Sequence, residues 1–377
     1  MKIKYVLVIL IGLSIPTSTA LTNILCPLAL LFILVEGQYT QKLSILSHNS
    51  IAITAILLVA IIGLGFLYTS VSFSESVFML NKYREFFYIP MFILLFQEEK
   101  TRKFGLYTFL AIMGITLFLS YFMAITGIEI GKGNADNPFV FKNHITQNLL
   151  MALATYFVAI QAWQNSKLKF LKINIDLKWL YNIIIVMAIY NILFMSAGRT
   201  GYLILLCLIL VFFYQVFNLK GILIGGLVLL VVGGIVYNFS GILQNRIDRA
   251  ITDIQSYQDG NSNTSVGIRL EFYKNSLALI LKQPILGSGT GSFSYEYNKL
   301  HMKHVTNPHN DYLMIAVQWG MVGLGLFILL LYLMWRTTYL LDVQISLMAQ
   351  GLVVTIVIGC LVNSLWLDNT EGHIFAY

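Results

Sequence analysis

Charge is scarce in this chain. Only 11% of its 377 residues are Asp, Glu, Lys or Arg, against about 25% in a soluble globular domain. Soluble cores stop growing at about 250–300 residues, and so few polar groups could not cover the surface of a longer one. The same composition excludes disordered, collagenous and disulfide-scaffold classes. Cysteine is rarer still: Cys26, Cys207 and Cys360 each lie in an apolar run and form no CxxC or metal-ligand pair, which leaves them as packing residues. No Walker motif, HExxH or metal triad is present, so nothing indicates ATP-driven or metal-assisted chemistry, and no cofactor is expected. There is no internal repeat or low-complexity tract.

What remains is apolar sequence: 58% of the residues are hydrophobic and the mean hydropathy is +0.77. A spanning helix needs about 20 mostly apolar residues. Runs at 4–20, 22–36, 50–69, 76–97, 104–126, 146–163, 180–196, 200–218, 221–238, 311–335 and 345–366 qualify. The fold class is therefore all-α, a polytopic transmembrane helical bundle of about 11–12 spans. Lys2, Lys4 and the run from Tyr5 to Leu13 imitate a secretory signal. Apolar sequence resumes at once through Val35, so the segment reads as a first, uncleaved helix.

Basic residues in short loops orient such a bundle. With the N-terminus inside, the inner loops carry Lys2, Lys4, Lys42, Lys100, Arg102, Lys103, Lys167, Lys169, Lys172, Lys178, Lys220 and Arg336, twelve cations. The outer short segments carry five: Lys82, Arg84, Lys132, Lys142 and Arg199. The net charge of +7 thus reports topology and gives no reason to expect nucleic acid. Three regions follow: an N-terminal transmembrane bundle of about nine spans (1–238), an external polar loop with short helices (239–310), and C-terminal transmembrane helices (311–377). Connections beyond about 15 residues are usually functional or disordered. Here the apolar spacing of 269–281 predicts an interfacial or packed helix.

Ionisable groups at helix ends mark functional pathways, and on this topology they converge outside. Arg84 lies near the outer end of the fourth run, His144 opens the sixth, and Arg199 sits in a turn between Gly198 and Gly201. Arg269 and His309 lie in the long loop, the latter after Pro308 where the chain re-enters the membrane. His301 and His304 read as solvated loop residues, since zinc would need four closed ligands. The glycine run 287–291 lacks the strand–turn–helix setting of a nucleotide site and reads as a flexible turn after Pro284. Guanidinium forks match phosphate oxygens, and a histidine can take a proton from an attacking hydroxyl. A hydroxyl nucleophile with a phosphate leaving group would use both.

These residues carry a family resemblance. Asn307-Pro308-His309-Asn310-Asp311-Tyr312-Leu313, followed by Gly320-Met321-Val322-Gly323, resembles the signature of the O-antigen ligase and O-antigen polymerase superfamily. Residues 284–293, Ser196-Ala197-Gly198-Arg199-Thr200-Gly201, Ile268-Arg269-Leu270-Glu271, Lys82-Tyr83-Arg84 and Asn143-His144-Ile145 resemble its other motifs. The resemblance runs from about residue 80 to the end. It implies a GT-C-type glycosyltransferase of the bacterial inner membrane, needing neither metal nor nucleotide, with its active face and large loop in the periplasm. The implied donor is a glycan on undecaprenyl diphosphate, and the implied acceptor a sugar hydroxyl of lipid A–core oligosaccharide. Arg199 and Arg269 would hold the diphosphate, and His309 would be the general base. Arg84, His144, Lys82, Asn310 and Tyr312 would contact substrate. A polymerase and a protein O-oligosaccharyltransferase share this donor chemistry. A transporter of lipid-linked glycan would need the arginines but not His309. Two departures stand out: Gln318 occupies a position where many relatives are acidic, and relatives continue beyond Ile374–Tyr377 into a final helix.

Overall fold

A computed structural model describes residues 2–164, 167–170, 173–176, 178–239, 241–301 and 305–377. Lys172 and His304 lie outside the described residues, as do the side chains of Lys2, Lys167, Lys169 and His301. The first half comprises α1 (Lys2–Thr17), α2 (Thr19–Val35), α3 (Tyr39–Ser47), α4 (Ser50–Leu64), α5 (Phe73–Lys82), α6 (Glu85–Leu95), α7 (Glu99–Thr126) and α8 (His144–Gln164). Two four-residue strands, β1 (Lys167–Phe170) and β2 (Ile173–Asp176), pair antiparallel. Then follow α9 (Lys178–Tyr190), α10 (Arg199–Phe217), α11 (Leu219–Phe239), α12 (Gly241–Gln258), α13 (Ser265–Lys282), α14 (Phe293–His301), α15 (Asp311–Thr338), α16 (Val343–Val362) and α17 (Asn369–Ala376). The protein is an all-α, multi-pass membrane protein apart from that small hairpin.

Among the described residues, eight helices are long and apolar enough to cross a membrane. They correspond to eight of the expected runs. The other three take different forms. Run 4–20 becomes the 16-residue α1, and run 22–36 becomes the 17-residue α2, which bends by 117° into α3. Run 76–97 breaks into α5 and α6 at Tyr83–Arg84. A continuous span there would carry Lys82, Arg84 and Glu85 into hydrocarbon, where charge is costly. The break instead turns Arg84 toward Asn23 Oδ1 (2.6 Å) and Asn81 Oδ1 (3.0 Å).

The glycine run 287–291 is not a flexible turn. It threads into a break in α15, where Trp319 and Gly320 leave helical geometry (φ −125° and +61°). The freed backbone groups of the kink pair with the incoming chain. Ser288 N–H donates to Val317 O (2.9 Å), Gly289 N–H to Gln318 O (2.8 Å) and Met321 N–H to Pro284 O (2.8 Å). Non-helical backbone within a spanning helix is tolerated where protein satisfies it. A Cβ on Gly287 would lie 2.5 Å from Gln318 C, and one on Gly320 would lie 2.2 Å from Ile285 O, so the spacing of glycines follows from close approach. Gln318, the departure from the acidic pattern, accepts the Gly291 N–H through Oε1 at 2.7 Å. Thr290 completes the seam: its hydroxyl donates to Ile62 O (2.6 Å) and accepts Trp319 Nε1–H (2.8 Å).

An aromatic core lies beside this seam. Phe86 stacks on Trp366 with centroids 4.4 Å apart, and Tyr83 meets Trp319 edge-on at 5.0 Å. Such pairs add about 0.5–1.5 kcal/mol beyond area burial. They tie α6 and the α16–α17 joint to α15, and so fix the end of the bundle where the ionisable residues gather.

Candidate functional site

At that end, α10 begins with Arg199 pressed against α8. Cβ atoms on Gly198 and Gly201 would come within 2.9 and 2.4 Å of Asn148 atoms, so only small residues permit the approach. Asn148 Nδ2 reaches Ser196 O and Gly198 O at 3.4 Å, which holds the turn. Arg199 Nη1 extends to Ser265 Oγ at 3.4 Å, on the first residue of α13. Arg269 stands one turn further along α13. The expected amphipathic helix at 269–281 is thus longer than its periodicity indicated, because Thr264 caps it through the Gly267 N–H (3.1 Å).

His309 faces the same helix. Its ring stacks on Phe272 of α13, with centroids 6.4 Å apart and an interplanar angle of 24°. The backbone of His309 is left-handed (φ +55°), a conformation rare for residues other than glycine and enriched at strained functional positions. It persists because residues 307–312 are clamped to the end of α16. Asn307 Oδ1 accepts the His309 N–H (2.7 Å) and the Ser364 hydroxyl (2.6 Å). Asn310 Nδ2 donates to Leu361 O (3.0 Å), Tyr312 OH to Val357 O (3.0 Å), and Trp366 N–H to Asp311 Oδ2 (3.2 Å). Burial, and then the Arg269 cation, hold the His309 imidazole below the ordinary histidine pKa of 6.5, against a raising contribution from the Asn363 side chain. A neutral imidazole beside a fixed cation can accept a proton near neutral pH.

His309, Arg269 and Arg199 are therefore brought together by α13. Asn310 and Tyr312 serve inside the clamp: Asn310 also caps α15 through the Leu313 N–H (3.0 Å). Arg84 and Lys82 belong to a neighbouring polar array, while His144 lies beside the Arg199 turn, its carbonyl 2.5 Å from where a Gly198 Cβ would stand. Arg84 Nε lies 3.8 Å from Glu85 Oε1, and the same oxygen is 3.0 Å from His373 Nδ1. Lys82 acts electrostatically on Asp368 and sits over the Phe78 ring at 5.6 Å. His144 opens α8 against Phe139, with ring centroids 5.7 Å apart. Lys142 donates to Thr19 Oγ1 at 2.8 Å; burial brings its pKa down to about 8, opposed by Glu371. Glu371 is pushed up by burial and then by Asp368.

Glu85, Asp311, Glu371 and His373 are thus buried members of the site region that reasoning from the sequence did not select. Their signal was present as ionisable residues inside or just after apolar runs. A recess of about 330 Å³ lies at the other end of the bundle, lined in part by Lys4, Glu36, Lys42 and Glu98. Its charges are already paired, Lys42 with Glu36 at 2.9 Å and Lys4 with Glu98 at 3.5 Å.

A multi-pass helical bundle that gathers a histidine and two arginines around one loop helix defines a class of membrane protein. Comparison with known proteins makes the class specific. Residues 183–328 match the family model described as O-antigen ligase. Arg199, Arg269, His309, Asn310 and Tyr312 fall inside it; Lys82, Arg84 and His144 do not. Over 265 residues the chain is 26% identical to an uncharacterized protein of Haemophilus influenzae, covering 67% of this chain and 63% of that one. Over 78 residues it is 33% identical to an O-antigen ligase of Escherichia coli, covering 21% and 19%. The matched segments thus span less than two thirds of either relative's length.

Proposed function

We propose that the chain is a glycosyltransferase of the inner membrane that moves a glycan from undecaprenyl diphosphate to a sugar hydroxyl of lipid A–core oligosaccharide. The observation that carries this reading is the convergence of His309, Arg269 and Arg199 on α13. In the proposed step the acceptor oxygen attacks the anomeric carbon of the donor sugar, and its proton passes to the His309 imidazole. The bond from that carbon to the diphosphate oxygen breaks, and the diphosphate departs with the electron pair. Arg199 and Arg269 bind the diphosphate and oppose its growing charge. Charge neutralisation rests on the guanidinium groups, so the step is assigned no metal and no nucleotide. The excess of cations on the opposite side supports a periplasmic position for this end of the bundle. Lys82, Arg84 and His144 lie at the border of the same region and contact the glycan or the diphosphate.

Lipopolysaccharide profiling of a deletion strain tests the reading. The ligase assignment requires loss of O-antigen from the core, with undecaprenyl-linked polymer accumulating. A core bearing a single repeat unit would instead assign polymerase activity. Altered glycoprotein with unchanged lipopolysaccharide would assign a protein O-oligosaccharyltransferase. A transporter of lipid-linked glycan would be identified by translocation of the donor that is indifferent to His309, with no glycan transfer to an acceptor.

A further inference from the structure

Helix α12 follows the spanning helix α11 after one residue. Most of α11 is unpacked: Leu223, Leu227, Leu230 and Ile235 are 78%, 63%, 76% and 54% exposed, the surface expected of a helix facing lipid. That apolar surface does not stop at Phe239. On α12, Ile247, Ile251 and Ile254 are 38%, 51% and 45% exposed, and at 100° per residue they fall within an arc of about 60°. Beyond Ile242 and Leu243 in its first turn and the small Ala250, the rest of α12 is mostly polar. Asn245, Asp248 and Thr252 lie away from the stripe, while Asp253 and Tyr257 turn toward α13. Asp253 Oδ2 accepts the Val266 N–H (3.2 Å), and Tyr257 OH donates to Glu271 Oε1 (3.0 Å). The isoleucine stripe therefore has a packed flank and an open face.

An apolar stripe on a helix of low overall hydrophobicity is the pattern of a helix lying in the membrane interface. We infer that α12 is seated in the bilayer surface, with Ile247, Ile251 and Ile254 in the acyl-chain boundary. The occupant of the stripe is lipid because α12 begins one residue after α11, whose exposed apolar side chains face lipid. The hydrogen bonds from Asp253 and Tyr257 tie α13 to the same seat. This inference requires a multi-pass membrane protein but not the proposed transfer reaction, so it stands or falls separately.

The full chain, with Cys207→Ala and the buried Cys26 and Cys360 retained, would be reconstituted into phosphatidylethanolamine–phosphatidylglycerol vesicles. Nitroxide labels would be placed at Ile251→Cys and, separately, Thr252→Cys. The expected result is a several-fold excess of oxygen over nickel-chelate collisions at position 251 and the reverse at position 252. An Ile247→Cys label should repeat the pattern of position 251 and guards against a local disturbance by one label. Equal, high access of the nickel chelate to positions 247, 251 and 252 would overturn the inference. So would low access of both relaxants at 247 and 251 with spin–spin broadening, which would identify a second copy of the chain as the occupant.

Discussion

The hydroxyl of Ser364 donates to Asn307 Oδ1 at 2.6 Å, and through that one oxygen the end of α16 holds the backbone of His309. The carboxamide also accepts the His309 N–H at 2.7 Å, so the left-handed φ of the histidine depends on a bond made 57 residues away in sequence. Ser364→Ala should therefore lower kcat with little change in donor KM. A single neutral hydrogen bond is worth about 1 kcal/mol, or roughly fivefold in rate. Steady-state kinetics on reconstituted protein would check this; a rise in donor KM at unchanged kcat would place Ser364 in substrate binding.

The pH profile follows from the surroundings of His309. A general base must be neutral, and burial with Arg269 keeps the imidazole below 6.5. Activity should be flat above that pH and fall below it as the ring protonates. Asn363 favours the charged ring, so Asn363→Ala should move the acidic limb to lower pH. Residual activity in Arg269→Gln should show the limb at higher pH, because a cation that opposes protonation is gone. Limbs that move together in both variants would remove His309 from the profile.

Arg199 reaches Ser265 from the first turn of α10, between glycines packed against Asn148. Arg199→Lys keeps the charge but loses the planar fork. Donor affinity should fall by at least about tenfold, the equivalent of ~1.4 kcal/mol, and isothermal binding of undecaprenyl diphosphate would measure it. Wild-type affinity would take Arg199 out of the diphosphate site.

Gly320 stands where the glycine run enters α15, with φ +61° and no room for a Cβ beside Ile285 O. Gly320→Ala should lower Tm in detergent and open the 284–291 segment to protease. The cost combines a positive-φ penalty of about 1 kcal/mol with displacement of the paired backbone. An unchanged Tm would show that the seam contributes little to stability.

Much of this was legible in the sequence. The long apolar runs gave their helices because periodicity and length are local properties. Gly198 and Gly201 announced close packing around Arg199. The resemblance points to His309 and Arg269, whose electrostatic coupling the structure then shows. What could not be read was non-local. The charges at Lys82, Arg84 and Glu85 disfavour a continuous span over 76–97, but the partner that holds Arg84 across the break, Asn23 on α2, is remote in sequence. The glycine run 287–291 looked like a flexible turn because its partners, Val317 and Gln318, belong to a helix that itself departs from helical geometry. Glu85 and His373, 3.0 Å apart, are nearly 300 residues distant in the chain, and neither carries a motif of its own.

The most direct test of the account is glycan transfer by purified, reconstituted His309→Ala protein, with undecaprenyl-diphosphate-linked glycan as donor and lipid A–core as acceptor. The account predicts a folded variant that binds undecaprenyl diphosphate as the wild type does and transfers no glycan. Transfer at the wild-type rate would contradict it.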